Sequence, residues 1–135
     1  EEEERNLQLL AQSWQQSQEM EESLEPLVKA TKIAEDGNLH IRLAQSYINL
    51  DRYEDAAKIL EEGLKKGGID RMDQAYLMLG MSHFELLKFE AAKNAFTNAG
   101  KDERSKKAAD NWRKYVESEQ SRKLQIENAF NARRG

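Results

Sequence analysis

One pattern of seven positions occurs three times in this chain of 135 residues, and it constrains the fold more than any other feature. Counted from its first residue, the pattern places apolar, aromatic or small side chains at offsets 0, 3, 4, 7, 16, 20 and 23. Two offsets hold His instead, offset 0 of the second copy (His40) and offset 7 of the third (His83). The copies begin at Leu7, His40 and Tyr76, so successive copies lie 33 and 36 residues apart. Spacings of about this length are typical of proteins that are built from stacked repeats.

The offsets predict that each copy is an antiparallel pair of helices. Offsets 0, 3, 4 and 7 fall on one face of a helix, and offsets 16, 20 and 23 fall on one face of a second helix. The segments QQSQEM, NLDRYE and LLKFEA separate the two groups and predict short turns. A small residue at offset 4 (Ala11, Ala44 or Gly80) lets the second helix approach closely. Stacked pairs share one continuous core, which a single pair cannot form.

The composition agrees with an all-α fold. The chain has one Pro and seven Gly, and it is rich in Ala, Leu, Glu, Lys and Gln, which favour helices. Charged residues make up 34% of it and the mean hydropathy is −0.90. No apolar run approaches the roughly 20 residues that a membrane span needs, so membrane insertion is not expected. The absence of cysteine excludes disulfides and thiolate metal sites.

The repeated pattern resembles the tetratricopeptide repeat over residues 4–104, most closely in Tyr76-x2-Leu79-Gly80-x2-His83. The resemblance implies a superhelix of three helix-turn-helix units at 4–36, 37–72 and 73–104. A capping helix at 105–130, needed to cover the last pair, and a frayed tail at 131–135 complete the predicted fold. The residues predicted to anchor the repeats are Ala11, Trp14, Ala44, Tyr47, Ala56, Gly80, His83, Ala92, Phe96 and Trp112.

The same resemblance implies a concave groove, lined by the first helix of each unit, that binds a protein or peptide. By family register the groove residues are Gln8, Gln12, Gln15, Asn38, Ile41, Arg42, Gln45, Asn49, Gln74, Leu77, Met78, Met81 and Glu85. For Leu77 and Met81, packing against the capping helix is an equally strong alternative. Some family members bind a carboxylate terminus with Lys and Asn at positions that here hold Gln8, Gln12, Ile41, Gln45, Leu77 and Met81, so no such clamp is expected.

No motif in the sequence indicates catalysis. KKGGID lacks the GK[ST] ending of a phosphate-binding loop, and no metal-ligand spacing such as HExxH occurs. His40 and His83 occupy anchor offsets in different repeats, which favours packing over metal binding or proton transfer. The sequence therefore predicts a protein that is not an enzyme and has no cofactor.

A narrower resemblance rests on the segments LMLGM at 77–81, DERSKKAA at 102–109 and NWRKYVESE at 111–119. They are similar to the C-terminal part of tetratricopeptide proteins associated with TonB-type systems of gammaproteobacteria. This resemblance implies a periplasmic protein that supports the uptake of iron complexes, with TonB, ExbB and ExbD components as partners. The cytoplasm is the alternative location. Because the chain starts with EEEER rather than Met, we expect a processed product or a piece of a longer protein.

The charges, which sum to −4, are unevenly distributed. Residues 1–36 carry ten acidic and three basic side chains, whereas residues 101–135 carry ten basic and six acidic ones. Solvated helix faces are the simpler interpretation, and the alternative is a structural module that associates weakly end to end with its own copies. Nucleic acid is not expected as a partner, because Asp102, Glu103 and Asp110 are interleaved with Lys106, Lys107, Arg113 and Lys114.

Overall fold

The chain folds entirely into helices within the described residues. The computed structural model describes residues 2–134, without the side chains of residues 2, 13–18, 20, 21 and 23. Six α-helices account for nearly all of this range. They are α1 (Glu2–Ile33), α2 (Asn38–Asn49), α3 (Tyr53–Lys66), α4 (Met72–Glu85), α5 (Phe89–Ala99) and α6 (Glu103–Arg134).

Helices α2 and α3 form one antiparallel pair and α4 and α5 form another, joined by equivalent turns. Asp51 and Leu87, which are 36 residues apart, have φ angles of 58° and 61° in these turns. The amide of Asp51 donates to the Ile48 carbonyl at 3.0 Å, and the amide of Leu87 donates to the Phe84 carbonyl at 2.9 Å. The sequence repeat is therefore also a repeat of backbone conformation, and it confirms the all-α solenoid of paired helices.

Small residues lie where the helices of each pair cross. Ala44 is fully buried in a cluster that also contains Leu60 and Leu79. A Cβ atom on Gly80 would lie 2.6 Å from the ring of Phe96, which is closer than real Cβ contacts allow. Ala44 and Gly80 therefore lie at contacts between paired helices, and the close approach at Gly80 requires glycine.

The first predicted helix pair is not formed, because α1 is one continuous helix of 32 residues. The segment QQSQEM, expected to be a turn, contains no Gly or Pro that would interrupt a helix. Helix α1 packs on α2 through its last three turns, where Leu24 and Thr31 are buried. Ala11 is exposed, so the predicted crossing there is wrong. Trp14 and Gln15, also assigned to this unit, have side chains outside the described residues.

The capping helix is longer than predicted. It begins at Glu103 and continues to Arg134, so residues 131–134 are helical and the frayed tail expected there is wrong. Nothing in this stretch interrupts a helix, because it contains neither Gly nor Pro before residue 135. The first half of α6 covers the second pair, as predicted, and Trp112 stacks on Phe96 with ring centroids 5.5 Å apart.

Candidate partner-binding groove

The first helices of the two pairs and the capping helix lie side by side in one row. Helix α4 approaches both α2 and α6, whereas within the described residues no Cα atom of α3 lies within 8 Å of a Cα atom of α5. When the helices on one side of a stack of helix pairs lie closer together than those on the other side, the stack curves toward the closer side. The row α2, α4 and α6 is therefore the concave side, and we call its accessible surface the groove.

Several predicted groove residues have accessible side chains on these helices. Arg42, Gln45 and Asn49 are exposed on α2, and Gln74 and Glu85 are exposed on α4. The Gln45 amide donates to the Asn49 side-chain oxygen at 3.1 Å. This surface offers amides and one charge of each sign to a partner.

Asn38 has a structural role at the start of the groove. Its Oδ1 accepts a hydrogen bond of 3.1 Å from the backbone amide of Asp70. Asn38 thereby connects the start of α2 to the loop before α4, and less of its side chain is available to a partner.

The apolar groove candidates are partly buried. Ile41 and Met78 pack on the core cluster around Ala44 and Leu60. Leu77 and Met81 pack on a second cluster, which includes Val116 of α6. The alternative of packing against the capping helix therefore describes Leu77 and Met81 well. Gln8 and Gln12 are exposed on the first half of α1, away from the row formed by α2, α4 and α6.

An aromatic cleft lies in the groove between the end of α4 and the first half of α6. It has a volume of about 550 Å³ and is lined by Phe84, Glu85, Ala108, Asn111, Trp112 and Tyr115. The ring of Tyr115 lies 5.3 Å from that of Phe84 and 6.0 Å from that of Trp112, measured between centroids. Tyr115 is half exposed, so apolar ring surface is accessible beside the Glu85 carboxylate and the Asn111 amide.

Most residues of this cleft are missing from the predicted groove. Glu85 was expected there from the sequence, but Trp112 was expected only as a packing anchor. Phe84, Ala108, Asn111 and Tyr115 were not assigned to the groove. The sequence does contain a signal for this role of α6, because Trp112 follows Tyr76 by the same 36 residues that separate Tyr76 from His40. Helix α6 therefore occupies the place of a further first helix, and its residues belong to the groove as those of α2 and α4 do.

A buried carboxylate fixes α6 against α4. Asp73, at the start of α4, accepts a hydrogen bond of 2.6 Å from the Ser105 hydroxyl and two from Arg71 at 2.9 and 2.7 Å. The Arg71 guanidinium, assisted by Ser105, holds the pKa of the Asp73 carboxyl far below its usual range despite the opposing effect of burial. Because Ser105 lies in the first turn of α6, this contact ties the start of α6 to the start of α4.

Both histidines are buried, as the sequence predicts, with 4% of His40 and 8% of His83 exposed. Burial lowers the pKa of each imidazole; Lys66 adds to this for His40, and Glu61 opposes it for His83. The Nε2 atom of His83 lies 3.5 Å from the Glu61 carboxylate, so it links α4 to α3. The two side chains are packing residues of the core.

The described residues contain neither a candidate metal site nor a candidate membrane span. No group of three His, Cys, Asp or Glu side chains in that range is arranged to hold a metal ion. None of the helices in that range combines the length and the apolar character that crossing a bilayer requires.

One family model matches the chain. Residues 38–65 match the model described as tetratricopeptide repeat. They span α2 and nearly all of α3, which form the first of the two helix pairs. No curated protein and no solved structure matches the chain. Repeats of this kind generally mediate protein–protein interactions, and the α2–α3 pair is similar to such a repeat within an all-α solenoid.

Proposed function

We propose that this protein is a non-catalytic scaffold that binds a segment of another protein in its concave groove. The observation that carries the proposal is the aromatic cleft between α4 and α6. Clefts of a few hundred cubic ångströms, lined by aromatic rings with a few polar groups at the rim, are typical binding sites. The same groove exposes amide side chains such as Gln45 and Asn49 of α2, which can hydrogen-bond to a bound backbone.

The chemistry of the cleft indicates what would enter it. Tyr115, Trp112 and Phe84 provide apolar ring surface, and Glu85 and Asn111 provide an acceptor and an amide at the edge. An apolar or aromatic side chain of the partner fits the rings, while the neighbouring backbone of the partner pairs with the amides. Aromatic anchors of this kind contribute most of the binding energy of many interfaces.

The test is to block the cleft without removing an existing contact. Ala108 is exposed and lines the cleft, so Ala108→Arg places a long side chain in it. The immobilised chain is exposed to a bacterial envelope extract, and captured proteins are quantified by mass spectrometry. We expect capture of the specific partner to fall at least about tenfold, equivalent to a loss of about 1.4 kcal/mol.

The matched control is Ala132→Arg, the same substitution at an exposed position of the same helix outside the cleft. It should leave capture unchanged. Equal capture by wild type and both variants would show that the cleft does not bind the partner. Equal loss in both variants would attribute the effect to added charge rather than to the cleft.

A narrower function extends the same proposal. The segments at 77–81, 102–109 and 111–119 resemble tetratricopeptide proteins of TonB-type systems, which supports a periplasmic protein whose partners are TonB, ExbB or ExbD components. The third segment includes Asn111, Trp112 and Tyr115 of the cleft. We therefore expect the soluble segment of one of these components to bind there.

Titration with purified soluble segments of TonB, ExbB and ExbD separates the narrower proposal from the broader one. Binding of one segment, weakened by Ala108→Arg and not by Ala132→Arg, would support it. If none binds while the envelope extract still yields a cleft-dependent partner, the TonB-type assignment is wrong and the scaffold function stands. Recovery of that partner from the cytoplasmic fraction would favour the alternative location.

A further inference from the structure

The second half of α6 extends beyond the helices on which the first half packs. Lys123 of α6 still lies over the start of α5, with its Nζ 5.6 Å from the ring centroid of Phe89. Phe89 is itself the first residue of α5. The remaining turns of α6, residues 124–134, are exposed throughout, and we call them the overhang.

The packing stripe of α6 continues along the overhang without a partner. Trp112, Val116, Glu119, Lys123, Ile126 and Phe130 follow one another at alternating spacings of four and three residues, which keeps them on one face. Val116 is fully buried, whereas 60% of Ile126 and 59% of Phe130 are exposed. The same face that forms the core in the first half is thus uncovered in the second half.

An apolar groove lies at the base of the overhang, and we call it the overhang groove. It has a volume of about 400 Å³, and its apolar lining consists of Phe84, Leu87, Phe89 and Ile126. Its charged lining consists of Glu119, Arg122, Lys123 and Glu127. Leu87 is 59% exposed in the α4–α5 turn, so the groove is open to solvent.

We propose that two copies of this chain associate antiparallel along their overhangs, so that Phe130 of each fills the overhang groove of the other. With Ile126 at the two-fold axis, a residue a given number of positions before Ile126 in one copy faces the residue the same number of positions after Ile126 in the other copy. The partner's Phe130 then lies beside Arg122, at the edge of the overhang groove. The partner's Ile126 contacts Ile126 itself, as the isologous symmetry of a two-fold dimer requires.

The charges of this face indicate a second copy in antiparallel orientation. Glu119 precedes the apolar residues on this face, and Arg133 follows them. In the proposed arrangement the partner's Arg133 faces Glu119, and the same pair forms a second time by symmetry. A parallel arrangement would place like charges together. Arg122 beside the partner's Phe130 would also form a cation–π contact, as Arg134 does with Phe130 within the chain, 5.2 Å from the ring centroid.

The end-to-end association considered from the sequence is less well matched. The outer face of α1 over its packed turns exposes Lys29 and Lys32, opposite the buried Leu24 and Thr31. The outer face of α6 carries Lys106, Lys107 and Lys114 together with Glu103 and Asp110. Glu25 is exposed beside the lysines of α1, so both faces carry charges of mixed sign and neither complements the other as a whole. The overhang is the better self-complementary surface.

Multi-angle light scattering and sedimentation velocity on the 135-residue chain test this proposal. We expect a mass that rises with concentration toward twice the 15.6 kDa of one chain. Phe130→Glu and Ile126→Glu should each weaken association by at least about tenfold. Leu124→Glu is the matched control, because Leu124 is 57% exposed and lies on the opposite face of the overhang. Far-UV circular dichroism verifies that each variant remains helical.

Charge reversal tests the antiparallel orientation. Glu119→Arg should weaken the dimer, because residue 119 then faces the partner's Arg133 with a like charge. Adding Arg133→Glu should restore dimerisation, because both symmetry-related pairs then again combine opposite charges. A wild-type chain that stays monomeric at about 0.5 mM would overturn the proposal, since that concentration far exceeds the Kd of a specific dimer. So would a dimer that Phe130→Glu does not affect, or one that Leu124→Glu disrupts equally. Ala108→Arg should not change the dimer, so a failed dimer and a failed partner groove give different results.

Discussion

At the scale of single residues, small side chains at the helix crossings allow the paired helices to pack closely. Ala44, Ala56 and Ala92 are fully buried, and Gly80 lies against the Phe96 ring. These positions could be predicted because small residues that recur at a fixed period are typical of closely packed helix repeats. The buried Asp73 could not be predicted, because a carboxylate at a helix start is ordinary in a sequence and only the fold brings Ser105 to it.

Gly80→Ala should lower the free energy of unfolding by about 1–3 kcal/mol, the usual cost of overpacking a core. The added Cβ would lie 2.6 Å from Phe96, whose ring cannot move because it is fully buried under Trp112. Urea denaturation measures the change. Gly100→Ala is the matched control, since its Cβ would meet no atom closer than 3.4 Å, and its stability should be equal or up to about 1 kcal/mol higher. A Gly80→Ala protein as stable as wild type would contradict the close crossing.

The buried histidines predict a stability that falls on mild acidification. In the unfolded chain both imidazoles gain a proton near pH 6.5, whereas burial lowers their pKa values in the folded protein. The unfolded state therefore binds more protons below that pH, and the contribution is complete above about pH 6.5 and declines as the pH falls below it. The decline should not exceed about 1.4 kcal/mol per histidine for each pH unit.

Urea midpoints at about pH 7.5 and about pH 5.5, on either side of the unfolded pKa, measure this effect. The wild type should be less stable at the lower pH, and a His40→Gln, His83→Gln double variant should show little difference between the two values. An unchanged pH dependence in the double variant would assign the effect to other groups.

At the scale of elements, α2 to α5 could be predicted from the sequence and the long helices could not. The pairs α2–α3 and α4–α5 each have a complete set of small residues and a turn, so the pattern specifies both helices and their contact. In α1 the repeated pattern predicted a turn at residues 15–20, where the structure has a continuous helix. These residues include no Gly or Pro, so the sequence contains no local signal that would stop the helix there. For α6 the sequence predicts a helix over 105–130, and the structure extends it at both ends to Glu103 and Arg134, with an exposed second half.

The joint between α4 and α6 predicts a measurable coupling. Ser105→Ala removes a hydrogen bond to the buried Asp73 carboxylate and should cost about 1.5–3 kcal/mol. Ser118→Ala, at an exposed position of the same helix, should change stability by less than about 0.5 kcal/mol. In a double-mutant cycle with Asp73→Ala, we expect a coupling energy of about 0.5–3 kcal/mol. Additive effects would show that the two residues do not connect the helices.

At the scale of the whole molecule, different surfaces have different tasks. The concave row of α2, α4 and α6 presents the groove and its aromatic cleft, and the overhang of α6 presents a separate apolar face. The outer helices α3 and α5 expose charged and amide side chains such as Lys58 and Asn94. If the protein binds through its concave side, the partner should contact α2, α4 and α6 and should not contact the outer surfaces of α3 and α5.

Site-specific photocrosslinking tests binding through the concave side most directly. A photoreactive residue is placed at one exposed inner position in each variant, Gln45 on α2, Glu85 on α4 or Asn111 on α6, or at the outer positions Lys58 and Asn94. After irradiation in an envelope extract, the crosslinked proteins are identified by mass spectrometry. We predict one common partner at the inner positions and none at the outer ones. Crosslinking of the same partner from Lys58 and Asn94, or no common partner from the three inner positions, would contradict a concave binding surface.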